Sequence, residues 1–483
     1  MAKTALQYLS GVFWVGSGNL LGMVAALMTM VMAARLTTKE ELGVYFLVMM
    51  VSHFAAIAGD LGLRNTATKM LSSSEPSDVI ETARFFVTIA FISSMMTALV
   101  VMAALPFLET LWPYPEFRKY AWLGVPLAFL AINFQMVNSL LVGAGKFREL
   151  SALGVGAEIL RAVFSVSALL YGLGVAGLLW GMILSRVFGI GIAWRLLPDQ
   201  FGLVLRHPAA MRIIKFGGWM YGCSLLSVVM VKASDTILVT YLGTATLAIF
   251  STSMQLPSAL LRLFDSIRPV LLGYASSRES TGTDLLVESI RIGAGLLAVA
   301  ATVLIGIADP LMTILFSSAY SGGINIMQAL CAWAALSIVN YYFSINLVGT
   351  GHPQKAFVLI IPQVLISIGV ALLLVPTFQG LGAAMALVIT SLVGNFIGAW
   401  VAAGRNGALF LSLNASHLRA AIPLLSLLIG VSMIDYSGGL MMGMVGGTLA
   451  FLVLLRAVTY QDARQLYWVV AGRLEIGASS GRS

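Results

Sequence analysis

Apolar runs of about twenty residues return repeatedly between residues 9 and 458, and nothing else in the chain restricts its fold as much. A run of that length crosses the hydrocarbon core of a bilayer as one α-helix, the form in which a single segment satisfies its own backbone in lipid. Charged residues make up 10% of the sequence, against about 25% in a soluble globular domain. The polar stretches between runs are mostly too short to fold as soluble domains. The sequence therefore predicts an all-α polytopic membrane protein of about fourteen transmembrane helices, near 9–34, 42–63, 83–105, 120–143, 152–171, 174–195, 215–241, 245–274, 290–309, 324–349, 355–375, 380–403, 418–434 and 439–457. The first run is longer than a signal-peptide core and shows no small-residue cleavage site, so it reads as a retained helix.

Lysine and arginine set the expected orientation. With the N-terminus and every second loop on one side, that side collects nineteen of the 28 basic residues, and the other holds four, Arg35, Lys39, Arg118 and Lys119. Both termini are expected in the cytoplasm, with the chain in a bacterial inner membrane. The net charge of +8 is then mostly a topology signal, and no nucleic-acid partner is expected. Cys223 and Cys331 both fall in predicted spans and read as small apolar residues. No CxxC, HExxH or phosphate-cradling Gly-Lys-Ser/Thr motif is present. Neither a catalytic residue nor a metal site is predicted.

The chain also repeats itself. AARLTTKEELGVYFLVMMVSHFAAIAGDLGLR at 33–64 returns in worn form about 205 residues later, with Leu247, Ile249, Phe250 and Asp265 standing where Leu42, Val44, Tyr45 and Asp60 stood. LVGAGKFRE at 141–149 resembles LVGTGHPQK at 347–355, an offset of 206, and GLGVA at 172–176 resembles GLGAA at 380–384, an offset of 208. Matches in order with so little drift predict a duplication. Residues 1–212 would form an N-terminal lobe of six spans, 213–404 a C-terminal lobe of six, and 405–483 two extra helices and a cytoplasmic tail. Six is even, so the lobes run parallel, and two such lobes around a central cavity suit alternating access.

Ionisable side chains inside a span cost several kcal/mol unless paired or wetted, so each is a functional candidate. Asp60 and Asp265 fall near the cytoplasmic ends of spans 2 and 8, with Arg64, Arg262 and Arg268. Asp60/Arg64 at i,i+4 and Arg262/Asp265/Arg268 at i,i+3 have the spacing to pair along a helix face. They read either as interface anchors that snorkel or as parts of a gate. Glu158 and Arg161 lie deeper in span 5 at i,i+3, and Lys232 and Asp235 repeat that spacing in span 7. Arg186, near the centre of span 6, has no partner in its own helix. Arg161, Arg186 and Lys232 are the candidate cations of a wet cavity with an anionic guest, since a forked guanidinium matches phosphate or carboxylate; interhelix pairing is the competing structural role. His53, near the centre of span 2, is a coupling candidate because an imidazole carries a proton near neutral pH. Asn133, Gln135, Asn138, Asn340 and Asn346 have amides that bind sugar hydroxyls or hold helices together.

ARLTTKEELGVYFL with the GDLGLRNT stretch after it resembles the opening of the Wzx-type oligosaccharide flippases of the multidrug/oligosaccharidyl-lipid/polysaccharide (MOP) exporter superfamily. SDTILVTYLGTATLAIFS resembles that family's seventh and eighth helices, and LVGAGK and GLG fit its later ones. The resemblance implies a flippase that carries an undecaprenyl-pyrophosphate-linked oligosaccharide from the cytoplasmic to the periplasmic leaflet for O-antigen, capsule or exopolysaccharide synthesis. It implies no cofactor, a proton or sodium gradient as driving force, and a polysaccharide polymerase as neighbour of a monomeric transporter. Asp60 in GDLG and Asp235 in SDTILV carry over from the family by position, whereas Arg161 and Arg186 come from depth alone. Lipid II flippases differ in carrying an arginine cluster in span 1, where this chain has only Arg35 at the outer end.

The alternative is a cation-coupled multidrug-type exporter of the same superfamily. That function calls for an acidic or aromatic cavity and twelve spans, whereas the unpaired deep charge here is basic. A membrane glycosyltransferase would need a large extramembrane loop or clustered acids, and the chain has no DxD.

Overall fold

The computed structural model describes residues 2–73, 78–205, 207–208, 210–265, 282–349, 353–404, 406–433 and 438–455, and every regular element among them is helical. Ten of these helices are long and apolar enough to cross a membrane, eleven if the bent pair Ile290–Gly306 and Ala308–Phe316 counts as one span. The first half runs α1 (Ala2–Leu36), α2 (Lys39–Asp60), α3 (Leu63–Ser73), α4 (Val79–Leu111), α5 (Pro115–Tyr120), α6 (Gly124–Gly143), α7 (Phe147–Leu170) and α8 (Gly174–Leu196). It continues with α9 (Ala210–Leu242), α10 (Thr244–Ser253), α11 (Gln255–Asp265), α12 (Gly282–Gly306), α13 (Ala308–Leu311), α14 (Ile324–Gly349), α15 (Pro353–Ala403), α16 (Gly407–Met433) and α17 (Gly438–Leu454).

Among the described residues, the count of ten or eleven against the expected fourteen reflects local backbone breaks and the bounds of those residues. The spans expected at 355–375 and 380–403 form one 51-residue element, α15, broken at Gln379 (φ 52°, ψ −131°) three residues after Pro376. The span expected at 245–274 divides between α10 and α11. Pro257 has no N–H for the Ser253 carbonyl, so the helix parts at Met254. Beyond Asp265 that span lies outside the described residues. The final span, α17, is described over 17 residues, with 434–437 and 456–483 outside the described residues.

Close approach is achieved through small residues, as lipid-embedded helices require. A Cβ on Gly181 would strike Ser165 of α7, and one on Gly59 would strike Thr97 of α4. Outward faces stay apolar, with Met96, Val100 and Phe107 on α4 and Leu373 on α15 exposed, as an acyl-chain environment allows. The chain is a multi-pass membrane protein.

The helices before residue 200 pack mainly on one another, as do those after 210, and the most extensive packing between the two sets joins α2 to α10. These are the two copies of the sequence repeat. Leu42 and Tyr45 are buried on α2, and Leu247 and Phe250 on α10. The copies begin differently: Thr38 and Glu41 form a capping box at α2, while Gly243 enters α10 at φ 85°. At this end of the bundle, opposite the basic loops, first-half side chains donate to carbonyls near the ends of second-half helices. Tyr114 Oη donates to Val239 O at 2.9 Å, Arg35 Nε donates to Leu315 O at 3.0 Å, and Arg35 also reaches Ile314 O. Trp112 Nε1 adds a 3.1 Å bond to Thr240.

Candidate functional site

Four helices bring one charged cluster together in the first half. On α7, Arg161 Nη2 meets Glu158 Oε2 at 2.5 Å. One turn of helix sets these residues on the same face, so the pair closes without help from another element. The buried Tyr45 of α2 interacts with Arg161, and Arg186 of α8 lies in the same electrostatic field. Arg186 forms no ion pair among the described residues. Its guanidinium sits 4.3 Å from the ring centroid of Phe134 on α6. Gly189, one turn further along α8, packs directly on the same ring, so Phe134 is held between backbone and cation. Two guanidinium groups against one carboxylate leave this cluster one positive charge in excess.

Burial reassigns two of the expected roles. Arg161, read as a cavity cation, has only 9% of its side chain exposed, against 30% for Glu158. It is Glu158 that lines a cavity of about 350 Å³ bounded by α1, α6, α7 and Arg262 of α11. On α9 the order is reversed, with Lys232 27% exposed and Asp235 3%. The i,i+3 spacing fixes which residues meet but not which of the two faces the gap between helices. Lys232 Nζ lies 2.5 Å from Asp235 Oδ2, while Asp235 Oδ1 is buried with no hydrogen-bond partner among the described residues.

That asymmetry has a measurable consequence. Lys232→Leu strands a buried carboxylate and is expected to cost about 3–5 kcal/mol. Asp235→Leu leaves a partly exposed ammonium and should cost clearly less. The double variant should regain much of the loss, which thermal unfolding in detergent reads as a double-mutant cycle. Equal losses in the two single variants would contradict this arrangement.

The expected Asp60/Arg64 face pair is not formed, because α2 ends at Asp60. The chain turns through Leu61 (φ 49°) and Gly62 (φ 73°) before α3 begins. Asp60 instead accepts the backbone N–H of Arg64 at 3.3 Å, and the Arg64 side chain reaches Gln135 Oε1 at 3.4 Å. His53 is exposed on α2, and the charges acting on it are Lys232 and Arg64. Arg268 and the side chain of Asp265 lie outside the described residues. Sequence reasoning missed Tyr45 and Phe134, since an aromatic in an apolar helix carries no charge signal. Both Cys223 and Cys331 are free and buried. Among the described residues, no group of three or more His, Cys, Asp or Glu side chains is placed to hold a metal ion.

The family model described as polysaccharide biosynthesis protein matches residues 31–325. No curated protein matches the chain. Among solved structures, lipid II flippase MurJ in its inward closed conformation is 12% identical with a TM-score of 0.70, over 95% of this chain and 99% of that one. A MOP superfamily transporter from Pyrococcus furiosus is 16% identical with a TM-score of 0.63, over 82% and 96% of the two chains. An outward-facing multidrug resistance MATE family transporter is 17% identical with a TM-score of 0.60, over 87% and 97%. At these identities the structures speak for the fold, and the family model speaks for descent. With more than half of its length matched, the chain belongs to the polysaccharide biosynthesis protein family and is built on the fold of MOP superfamily transporters.

Proposed function

We propose that this protein is a flippase that moves an undecaprenyl-pyrophosphate-linked oligosaccharide from the cytoplasmic to the periplasmic leaflet of the bacterial inner membrane, and that it is not an enzyme. The observation that carries this reading is the deep excess of positive charge. Among the described residues Arg186 forms no ion pair, and it stands beside Glu158 and Arg161 in a chain of the polysaccharide biosynthesis family. A phosphate entering there would gain charge-assisted hydrogen bonds from a guanidinium already oriented by Phe134. Two lobes, 1–212 and 213–404, would rock about their common interface, with 405–483 appended. Both termini would lie in the cytoplasm at the basic end. Lys232 of α9 and His53 of α2 act on each other electrostatically across the two halves, and a proton or sodium gradient would couple to the motion there. A monomer beside a polysaccharide polymerase is the expected setting.

The test follows lipid-linked oligosaccharide in cells depleted of the protein. Accumulation on the cytoplasmic leaflet with loss of surface polysaccharide is the expected result. An intact surface without accumulation would reject it, and increased drug susceptibility in the same cells would point to the exporter function.

A further inference from the structure

Phe134, Asn138, Gly154 and Ala157 line the charged cavity together with Glu158. The repeat offset of 206 residues carries them to Asn340, Ser344, Ile360 and Gln363. All four line a second cavity, of about 310 Å³, among α9, α11, α14 and α15. The two cavities are thus the same place in two copies of one unit. They share a wall: on α11, Arg262 faces the first and Leu261 the second.

Their chemistry has diverged. At an offset of 206 the Glu158–Arg161 pair becomes Val364 and Ser367, and at 208 Arg186 becomes Gly394. Tyr45, which serves Arg161, becomes Phe250. No residue lining the second cavity is charged. The loss of the arginine is what lets two amides meet, because a Cβ on Gly394 would stand 2.8 Å from both Asn340 Oδ1 and Gln363 Cδ. Asn340 Nδ2 donates to Ser391 O at 3.2 Å, which leaves its buried Oδ1 with no hydrogen-bond partner among the described residues. Around these amides stand the hydroxyls of Ser337 and Ser344 and the rings of Trp333 and Tyr341.

An unpaired amide acceptor, hydroxyls of either hydrogen-bonding sense and an aromatic face form a set that fits a pyranose. The sugar's hydroxyls both donate and accept, and its C–H face packs on a ring. The set offers nothing to an anion. The volume falls at the small end of small-molecule pockets, about 300–1,000 Å³. We propose that the second cavity is a saccharide subsite, taking an uncharged sugar unit of the oligosaccharide whose phosphate meets Arg186 beside the first cavity. The reading rests on the flippase function proposed above.

Full-length protein in nanodiscs is titrated with two kinds of probe, inorganic pyrophosphate and neutral tetrasaccharides of glucose, galactose and N-acetylhexosamine. A tetrasaccharide should bind, and Asn340→Leu and Gln363→Leu should each weaken it by about tenfold, the equivalent of one buried hydrogen bond, leaving pyrophosphate unchanged. Arg186→Ala should do the reverse. Ser337→Ala removes one hydroxyl with little risk to folding and should act on the saccharide alone, in the same direction. No tetrasaccharide binding to wild type, or binding unmoved in those substituted proteins that keep the wild-type Tm, overturns the subsite. Tetrasaccharide binding of the expected kind without any pyrophosphate binding upholds the subsite and overturns the lipid-phosphate function.

Discussion

Replacing Gly43 with leucine is expected to arrest transport while leaving the protein folded in the membrane. Gly43 lies near the start of α2, where a Cβ would collide with the backbone carbonyl of Thr244 at the start of α10. A flexible side chain would yield to such a collision, but a peptide group at a helix N-terminus has nowhere to go, so the two helices must part. They form the main seam between the halves, and Tyr114, Arg35 and Trp112 bridge the halves close beside it. Overpacking costs about 1–3 kcal/mol, which shifts a two-state equilibrium about 5–150-fold. The penalty falls only on the state in which this end is shut. A cysteine in place of the fully buried Val239, with Cys223 and Cys331 replaced by serine, reports on that state. Its labelling by an impermeant maleimide should rise by a similar factor when Gly43→Leu is added, and surface polysaccharide should disappear. Normal surface polysaccharide with unchanged labelling would show that the seam does not have to close during transport.

That seam also marks how far the sequence could be read. The duplication was visible because α2 and α10 repeat a pattern of buried apolar residues, and burial constrains residue type strongly. That the two copies meet each other was not visible, since Gly43 looks like any other glycine in a membrane helix. The ion pairs at 158/161 and 232/235 were legible because spacing along one helix fixes neighbours. Which partner faces the gap depends on the helix's rotation against its neighbours, and spacing carries no information on that. For this reason Glu158, not Arg161, lines the cavity. Asp60 and Arg64 failed differently: i,i+4 pairing presumes a continuous helix, and Leu61 and Gly62 end it between them. The break at Met254 was half legible, since Pro257 announces a lost hydrogen bond without saying whether the helix bends or stops. Asn340 was legible as an amide for sugar hydroxyls or helix contacts, but the neutral cavity around it was not, because a missing charge has meaning only once its charged twin has been located.

Arg186→Ala tests whether the charge of the Glu158, Arg161 and Arg186 cluster serves the substrate or the fold, and the two possibilities separate cleanly in this residue. Its visible contact is with the Phe134 ring, an interaction of about 0.5–2 kcal/mol. With no bound carboxylate to strand, the substitution should lower unfolding stability by no more than about that amount. Arg161→Ala should cost more, because Arg161 is the buried member of its pair and also supports Tyr45. If Arg186 meets the substrate's phosphate, its loss removes a charge-assisted fork worth about 1.5–3 kcal/mol, a fall of roughly ten- to 150-fold in translocation. Arg186→Lys keeps the charge but not the planar fork or its stacking on Phe134, so it should recover only part of the rate. Phe134→Leu keeps the charge but frees its orientation, and should fall between wild type and Arg186→Ala. The order expected for translocation is therefore wild type, then Phe134→Leu and Arg186→Lys, then Arg186→Ala, at nearly constant membrane abundance. A structural arginine would give the opposite signature, with abundance and Tm falling together and translocation per folded molecule unchanged.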